Sequence, residues 1–222
     1  MVGDYYLTEY IINKSFSTRT VRSERVLAMA EAFGLGLEEK EFHVFKDLHI
    51  EIKQGDVVFI TGQSGSGKSQ LLKVLTEQMI KEGLKVSNIL DVHLEDKALI
   101  DQLGKNMQEA IELLSRAGIN DAYLGIRRPA ELSDGQKYRL QLAKLFESDA
   151  DVWVADEFGA VLDRITAKTV AHSAQKLART RKKTLLVATT HTDLIDELGP
   201  SVTINKRFQD RVDIISKKQS DV

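Results

Sequence analysis

The sequence predicts an α/β fold with a mainly parallel sheet and helices on both faces, and three observations carry that prediction. Short apolar runs such as Val57-Val58-Phe59-Ile60 and Val152-Trp153-Val154-Ala155 read as buried strands. Between them, apolar residues recur at helical spacing, as in Leu71, Leu72 and Leu75. Strands that alternate with helices pair in parallel across helical crossovers. With 222 residues, 42% hydrophobic and 29% charged, the chain can bury an adequate core in one large domain or in one domain with an inserted subdomain.

In chain order, Tyr5 to Ile12 is rich in aromatic and β-branched residues and predicts a strand. Val26, Leu27, Ala30 and Phe33 predict a helix over 21–33, ended by Gly34 and Gly36. Residues 42–52 predict one or two strands, an antiparallel portion near the N-terminus, followed by the turn Gln54-Gly55-Asp56. A helix over 68–81 follows the next strand, then a strand over 86–92 and one or two helices over 97–117. The rest reads as a helix over 133–146, a strand over 152–155, a helix from about 166 to 180 and a strand over 184–189. The expected division is an N-terminal extension over 1–40, a main domain over 41–205 with a reduced helical subdomain near 95–147, and a polar tail over 206–222.

Composition narrows the function. There is no cysteine, so disulfides, thiolate metal sites and cysteine catalysis are excluded. A net charge of −2 supplies no overall field toward nucleic acid or anionic membrane. No apolar run approaches the roughly 20 residues of a membrane span, and Met1-Val2-Gly3-Asp4 does not begin a signal peptide. A cytoplasmic location without direct membrane contact is the expectation.

The stretch Gly62-Gln63-Ser64-Gly65-Ser66-Gly67-Lys68-Ser69 lies between a strand and a helix, the context of a phosphate-binding loop. Its glycines let backbone N–H groups wrap an anion, and the helix N-terminus adds partial positive charge. Lys68 reaches the outer phosphates and the Ser69 hydroxyl suits Mg²⁺. The ligand class is a nucleoside triphosphate. The strand at 152–155 ends in Asp156-Glu157, which places two carboxylates at a crevice edge: Asp156 for Mg²⁺ and Glu157 as general base toward water. Upstream, Leu132-Ser133-Asp134-Gly135-Gln136 opens a helix, with Ser133 as N-cap and Gly135 allowing close approach to an anion.

These motifs, in this order, resemble the ATPase unit of the ATP-binding-cassette superfamily over roughly residues 42–195. Gly62 to Ser69 matches its phosphate loop and Leu132 to Gln136 its signature, usually written LSGGQ, with Arg139 and Leu142-Ala143 following. Val152 to Glu157 matches the carboxylate strand, Ala160-Val161-Leu162-Asp163 the loop that meets a second subunit, and His191 the switch histidine. The resemblance implies a homodimer on ATP binding, with two head-to-tail copies sandwiching two ATP molecules. The phosphate loop through Gln70 would hold one end of each ATP. Ser133, Gly135 and Gln136 of the other copy, with Asp163, would complete the site. Glu157, His191 and Lys68 would be catalytic, and ATP with Mg²⁺ would be the ligands.

Several positions depart from the family pattern. Asp134 replaces a signature glycine, and Phe158 follows Glu157 where many members have proline. Phe42 and Phe45 are both candidates for stacking on adenine. Gln102, Gln108, Asp91 and Glu95 are candidates for the remaining Mg²⁺ ligand. The segment between Lys68 and Ser133 is short for a transporter ATPase. The N-terminal part, with Leu-Ser-Asp-Gly-Gln-x-Tyr-Arg at 132–139, also resembles soluble cassette ATPases sometimes fused to acetyltransferase domains. The leading expectation is therefore a soluble Mg²⁺-dependent ATPase that acts as a switch on an unidentified macromolecule, outside any transporter. The alternatives are a transporter's nucleotide-binding subunit, docking a membrane partner on residues 95–130, a DNA-associated ATPase using the basic clusters at 179–183 and 206–218, and a small-molecule kinase.

Overall fold

The structure is a computed structural model that describes residues 7–207 and 211–217. Tyr5, Tyr6, the Met1–Asp4 start and Lys218 lie outside the described residues. Strand β1 (Leu7–Thr18) is followed by helix α1 (Glu24–Phe33), which Ser23 caps and Gly34 ends with a left-handed φ of 62°. One long strand, β2 (Lys40–Lys53), then returns antiparallel to β1, pairing Tyr10 with Ile50 and Phe16 with Phe42.

Strand β3 (Val57–Gly62) leads through the glycine-rich loop into α2 (Lys68–Lys81). Strand β4 spans only Val86–Asn88 and passes into a 3-10 turn at Ile89–Asp91, where the side chain of Asn88 accepts from the Leu90 N–H. Between Lys97 and Ala117 the chain forms a 3-10 turn, Leu99–Gln102, and a single α-helix, α3 (Met107–Arg116). Next come α4 (Ala122–Gly125), α5 (Asp134–Glu147), β5 (Val152–Ala155) and α6 (Arg164–Thr180). The chain ends with β6 (Thr184–Ala188), α7 (Ile195–Leu198), β7 (Val202–Lys206) and β8 (Val212–Ser216). β8 lies within the stretch expected as a polar tail; Val212 and Ile214 alternate inward onto the core, which makes it an edge strand antiparallel to β7.

The main sheet runs β4-β5-β6-β3-β7-β8 and is parallel except for its last pair. Strand β3 is buried on both faces, as its unbroken apolar run requires. Val57 and Phe59 face a core with Trp153, Phe146 and Leu185 under α3, α5, α6 and α7. Val58 and Ile60 face a second core with Leu71, Leu75 and Met79 of α2 and Phe45, Ile50 and Ile52 of β2. Helices therefore cover both faces, and the β1–β2 sheet closes the α2 side. The C-terminal ends of β3, β5 and β6 lie side by side, where an α/β sheet opens a crevice.

Candidate functional site

The loop between β3 and α2 takes its shape from glycines that no other residue could replace in kind. Gly62 has φ 144°, and a Cβ there would stand 2.0 Å from the backbone oxygen of Lys206 on β7. Gly67 has φ 103°, and its Cβ would stand 3.0 Å from Val44 of β2. Gly67 also precedes α2 as an N-cap with no side-chain hydrogen bond, so the helix start presents its N–H groups to the loop. The Lys68 ammonium donates to Gly62 O at 2.9 Å and Gln63 O at 2.8 Å. Partial burial pulls its pKa below the ordinary lysine value, while the Asp156 and Glu157 carboxylates push the other way.

A cleft of about 520 Å³ opens over this loop and gathers Lys68, Ser69, Gln70, Asp156 and Glu157 with Ser64, Gly65 and Gly67. Gly62, Gln63 and Ser66 complete the loop on its far side, where Gly62 and Gln63 border a second cleft of about 800 Å³ beside Thr190 and Arg207. Glu157 is held with φ 49°, a left-handed conformation uncommon for a residue of its kind. Its N–H donates to Asp156 Oδ1 at 2.9 Å. Ser69 and Asp156 give hard oxygen donors in one cleft. That set fits Mg²⁺, which keeps several waters and takes its other ligands from phosphates.

The other candidate residues lie elsewhere. Ser133 and Gln136 form a reciprocal capping box at the start of α5: Gln136 N donates to Ser133 Oγ at 3.3 Å, and Ser133 N to Gln136 Oε1 at 2.9 Å. A Cβ on Gly135 would meet Val161 O at 3.0 Å, so the signature start packs on the chain's own Ala160–Asp163 loop and does not line the cleft. Asp163 caps α6 by accepting from Thr166 N at 2.9 Å, and hydrogen bonding from the Thr166 side chain first, then from its backbone N–H, lowers the carboxyl pKa. His191 stands beside the cleft without lining it, its N–H donating to Thr189 Oγ1 at 3.1 Å.

The open choices narrow as well. Phe45 is buried with the Lys206 ammonium 5.2 Å from its ring centroid, which makes it a core residue. Phe42 remains exposed beside Phe16 and keeps a free face. Gln102 is a brace: its amide accepts from Glu95 N at 3.0 Å and donates to Lys97 O at 2.9 Å, away from the cleft. Gln108, Asp91 and Glu95 do not line the cleft either. Thr189 and Thr190 line it and were not singled out from the sequence, although Thr190 adjoins the switch histidine, and Ala160, which opens the 160–163 loop, lines it as well.

The sequence profile described as "ABC transporter" matches residues 45–108. The chain is 26% identical over 200 residues to the methionine import ATP-binding protein MetN of Vibrio vulnificus, across 74% of this chain and 58% of that protein. It is 30% identical over 175 residues to a "Probable export ATP-binding/permease protein" of Pseudomonas fluorescens, across 63% of this chain and 26% of that protein. Its fold superposes on the dimeric, post-hydrolysis ATP-binding cassette MJ0796 bound to ADP and Pi with a TM-score of 0.65, at 17% identity, over 96% of this chain and all of that one. In profile, in relatives and in fold, the chain is similar to ATP-binding-cassette domains. The chain spans 58% of the length of the MetN relative it matches. Among the described residues, no helix of the cassette is long and apolar enough to cross a membrane.

Proposed function

We propose that this cassette is the nucleotide-binding subunit of a transporter, binding MgATP at Gly62–Gln70 and using hydrolysis to drive a separate membrane subunit. The observation that carries the ATPase site is the single cleft shared by Lys68, Ser69, Asp156 and Glu157. In that cleft Lys68 exchanges the carbonyls of Gly62 and Gln63 for outer phosphate oxygens, and the N–H groups opening α2 hold the inner ones. Ser69 and Asp156 would hold Mg²⁺, which when bound neutralises phosphate charge. The Glu157 carboxylate takes the proton of the attacking water. His191, Asp163 and the Ser133–Gln136 helix start of a second copy complete the site when two cassettes close. Replacing Glu157 with Gln should stop turnover while leaving ATP binding intact, read by phosphate release and by binding of a fluorescent nucleotide.

The sequence alone favoured a soluble switch outside any transporter. Two lines weigh toward the transporter reading. The relatives above are named for import and export, and the helical segment exposes large apolar side chains. Met107 and Ile111, four residues apart on α3, are 70% and 54% exposed, and Tyr123 and Ile126 are 75% and 68% exposed. All four fall within the 95–130 stretch expected to meet a membrane subunit. The basic cluster gives the DNA-associated reading little support: Arg179 bonds Gln175 and Gly199 O, Arg181 bonds Phe146 O, and Lys183 pairs with Asp149. The short helical subdomain, with α3 only 10 residues long, is what favours a soluble switch as the second reading. Fractionating source cells separates the two. A transporter subunit sediments with membranes and is released by Ile111→Asp with Tyr123→Asp, whereas a cassette found wholly in the soluble fraction overturns the transporter reading.

A further inference from the structure

The left-handed backbone at Glu157 needs something to hold it, because such conformations persist only where the surroundings over-determine them. Three anchors follow it directly. Phe158 N donates to Ala188 O of β6 at 3.0 Å, and Phe158 O accepts from the buried Thr189 hydroxyl at 3.0 Å. Gly159 N donates to the Tyr138 hydroxyl at 3.2 Å. The Tyr138 ring also meets the edge of the buried Phe158 ring, with centroids 6.4 Å apart and planes at 73°. The first two anchors come from the sheet beside β5. The third comes from α5, in the turn after Ser133–Gln136, and so links two parts of the site that lie apart in the chain. Phe158 supplies both the ring edge and the N–H donated to Ala188 O, neither of which a proline would offer.

We propose that Tyr138 is a positioning residue for ATP hydrolysis: through Gly159 and Phe158 it holds the turn at Glu157 in register and ties that turn to the signature helix. The inference rests on Glu157 being the general base. Burial, reinforced by the Asp156 carboxylate, pushes the Tyr138 phenol far up, so it stays a neutral hydrogen-bonding group at working pH. Because the same helix presents Ser133 and Gly135, a shift of α5 when a second cassette docks reaches Glu157 through this contact. A tyrosine that only filled space between α5 and the sheet would not need its hydroxyl, and its ring would suffice.

The test uses Tyr138→Phe in the full chain, which deletes one oxygen and keeps the ring. Steady-state kcat should fall by about five- to tenfold, the weight of one buried hydrogen bond. KM for ATP and the affinity for a fluorescent nucleotide should stay within about twofold of wild type. The same substitution in a Glu157→Gln background should leave the residual single-turnover rate unchanged, because Tyr138 acts through the missing carboxylate. Phe158→Met, which removes the ring edge and keeps the hydroxyl, should also lower kcat without moving KM, and serves if the first variant folds poorly. A Tyr138→Phe kcat within about twofold of wild type overturns the proposal, as does an equal fall in both backgrounds. If Glu157→Gln hydrolyses at the wild-type rate, the assignment of Glu157 fails first, and the proposal fails with it.

Discussion

Replacing Gly62 with alanine sets a methyl carbon 2.0 Å from the Lys206 carbonyl oxygen, and that atom belongs to the β7 backbone, which cannot step aside. The φ of 144° adds strain for any L side chain. Gly62→Ala should therefore destabilise the fold by roughly 3 kcal/mol or more and abolish nucleotide binding, read by thermal unfolding and nucleotide titration. Gly65 contrasts with it: its Cβ would meet nothing within 4 Å, so alanine there costs mainly the strain of its φ of 73°. At this scale the contiguous motif was legible because a run of eight residues names its own geometry. Gln102 was not. Its type suggested a metal ligand, but its amide is taken by the backbone at Glu95 and Lys97, a partnership set by a local fold that the spacing does not reveal. Tyr138 was hidden for a related reason: its partners, Phe158 and Gly159, lie some twenty residues on and meet it only across packed layers.

Elements were legible where one strand or helix explains its own pattern, and blurred where partners decide. The runs at 57–62 and 152–155 declare buried strands because both faces are covered. The stretch at 86–92 reads as one strand by composition, yet only Val86–Asn88 finds a neighbour in β5 before Asn88 turns the chain. The antiparallel β1–β2 sheet is tied to the main body partly through Tyr10, which interacts with Glu82 at the end of α2 and has its pKa pushed up from 10.0 to about 12, first by burial and then by that carboxylate. A raised folded-state pKa contributes stability that is complete below the unfolded value and is lost as pH rises through the folded one. The urea midpoint should accordingly be flat up to about pH 10 and fall between pH 10 and about 12. Tyr10→Phe should lessen that alkaline decline, leaving the share that the buried Tyr138 phenol contributes, while the neutral-pH transition stays cooperative, as read by far-UV circular dichroism.

At the scale of the whole molecule, the residues expected to grip the far side of ATP do not line the chain's own cleft. Gly135 packs on Val161, and Ser133 and Gln136 satisfy each other at the start of α5, while the cleft is lined by β3, β5 and β6 ends. That division is consistent with the proposed completion of the site by a second cassette, in which Asp134 would come into play. Its carboxylate is 90% exposed in the first turn of α5, with Lys137 Nζ 4.0 Å away. Within one copy it favours the helix start by roughly 0.5 kcal/mol. Across the proposed closed dimer the same charge would face the triphosphate. At an effective dielectric near 20, a unit of repulsion over several ångströms amounts to about 1–2 kcal/mol. In a Glu157→Gln background, which prevents turnover, ATP should convert monomer to dimer in light scattering. Adding Asp134→Asn should lower the ATP concentration at the midpoint about five- to tenfold, while the thermal midpoint without nucleotide drops slightly. The gain should shrink as salt rises, since exposed charges are screened within about 10 Å at 0.1 M ionic strength. An unchanged ATP midpoint with Asp134→Asn would mean that closure carries this carboxylate away from the phosphates, and that the second copy grips ATP through the Gly135 backbone alone.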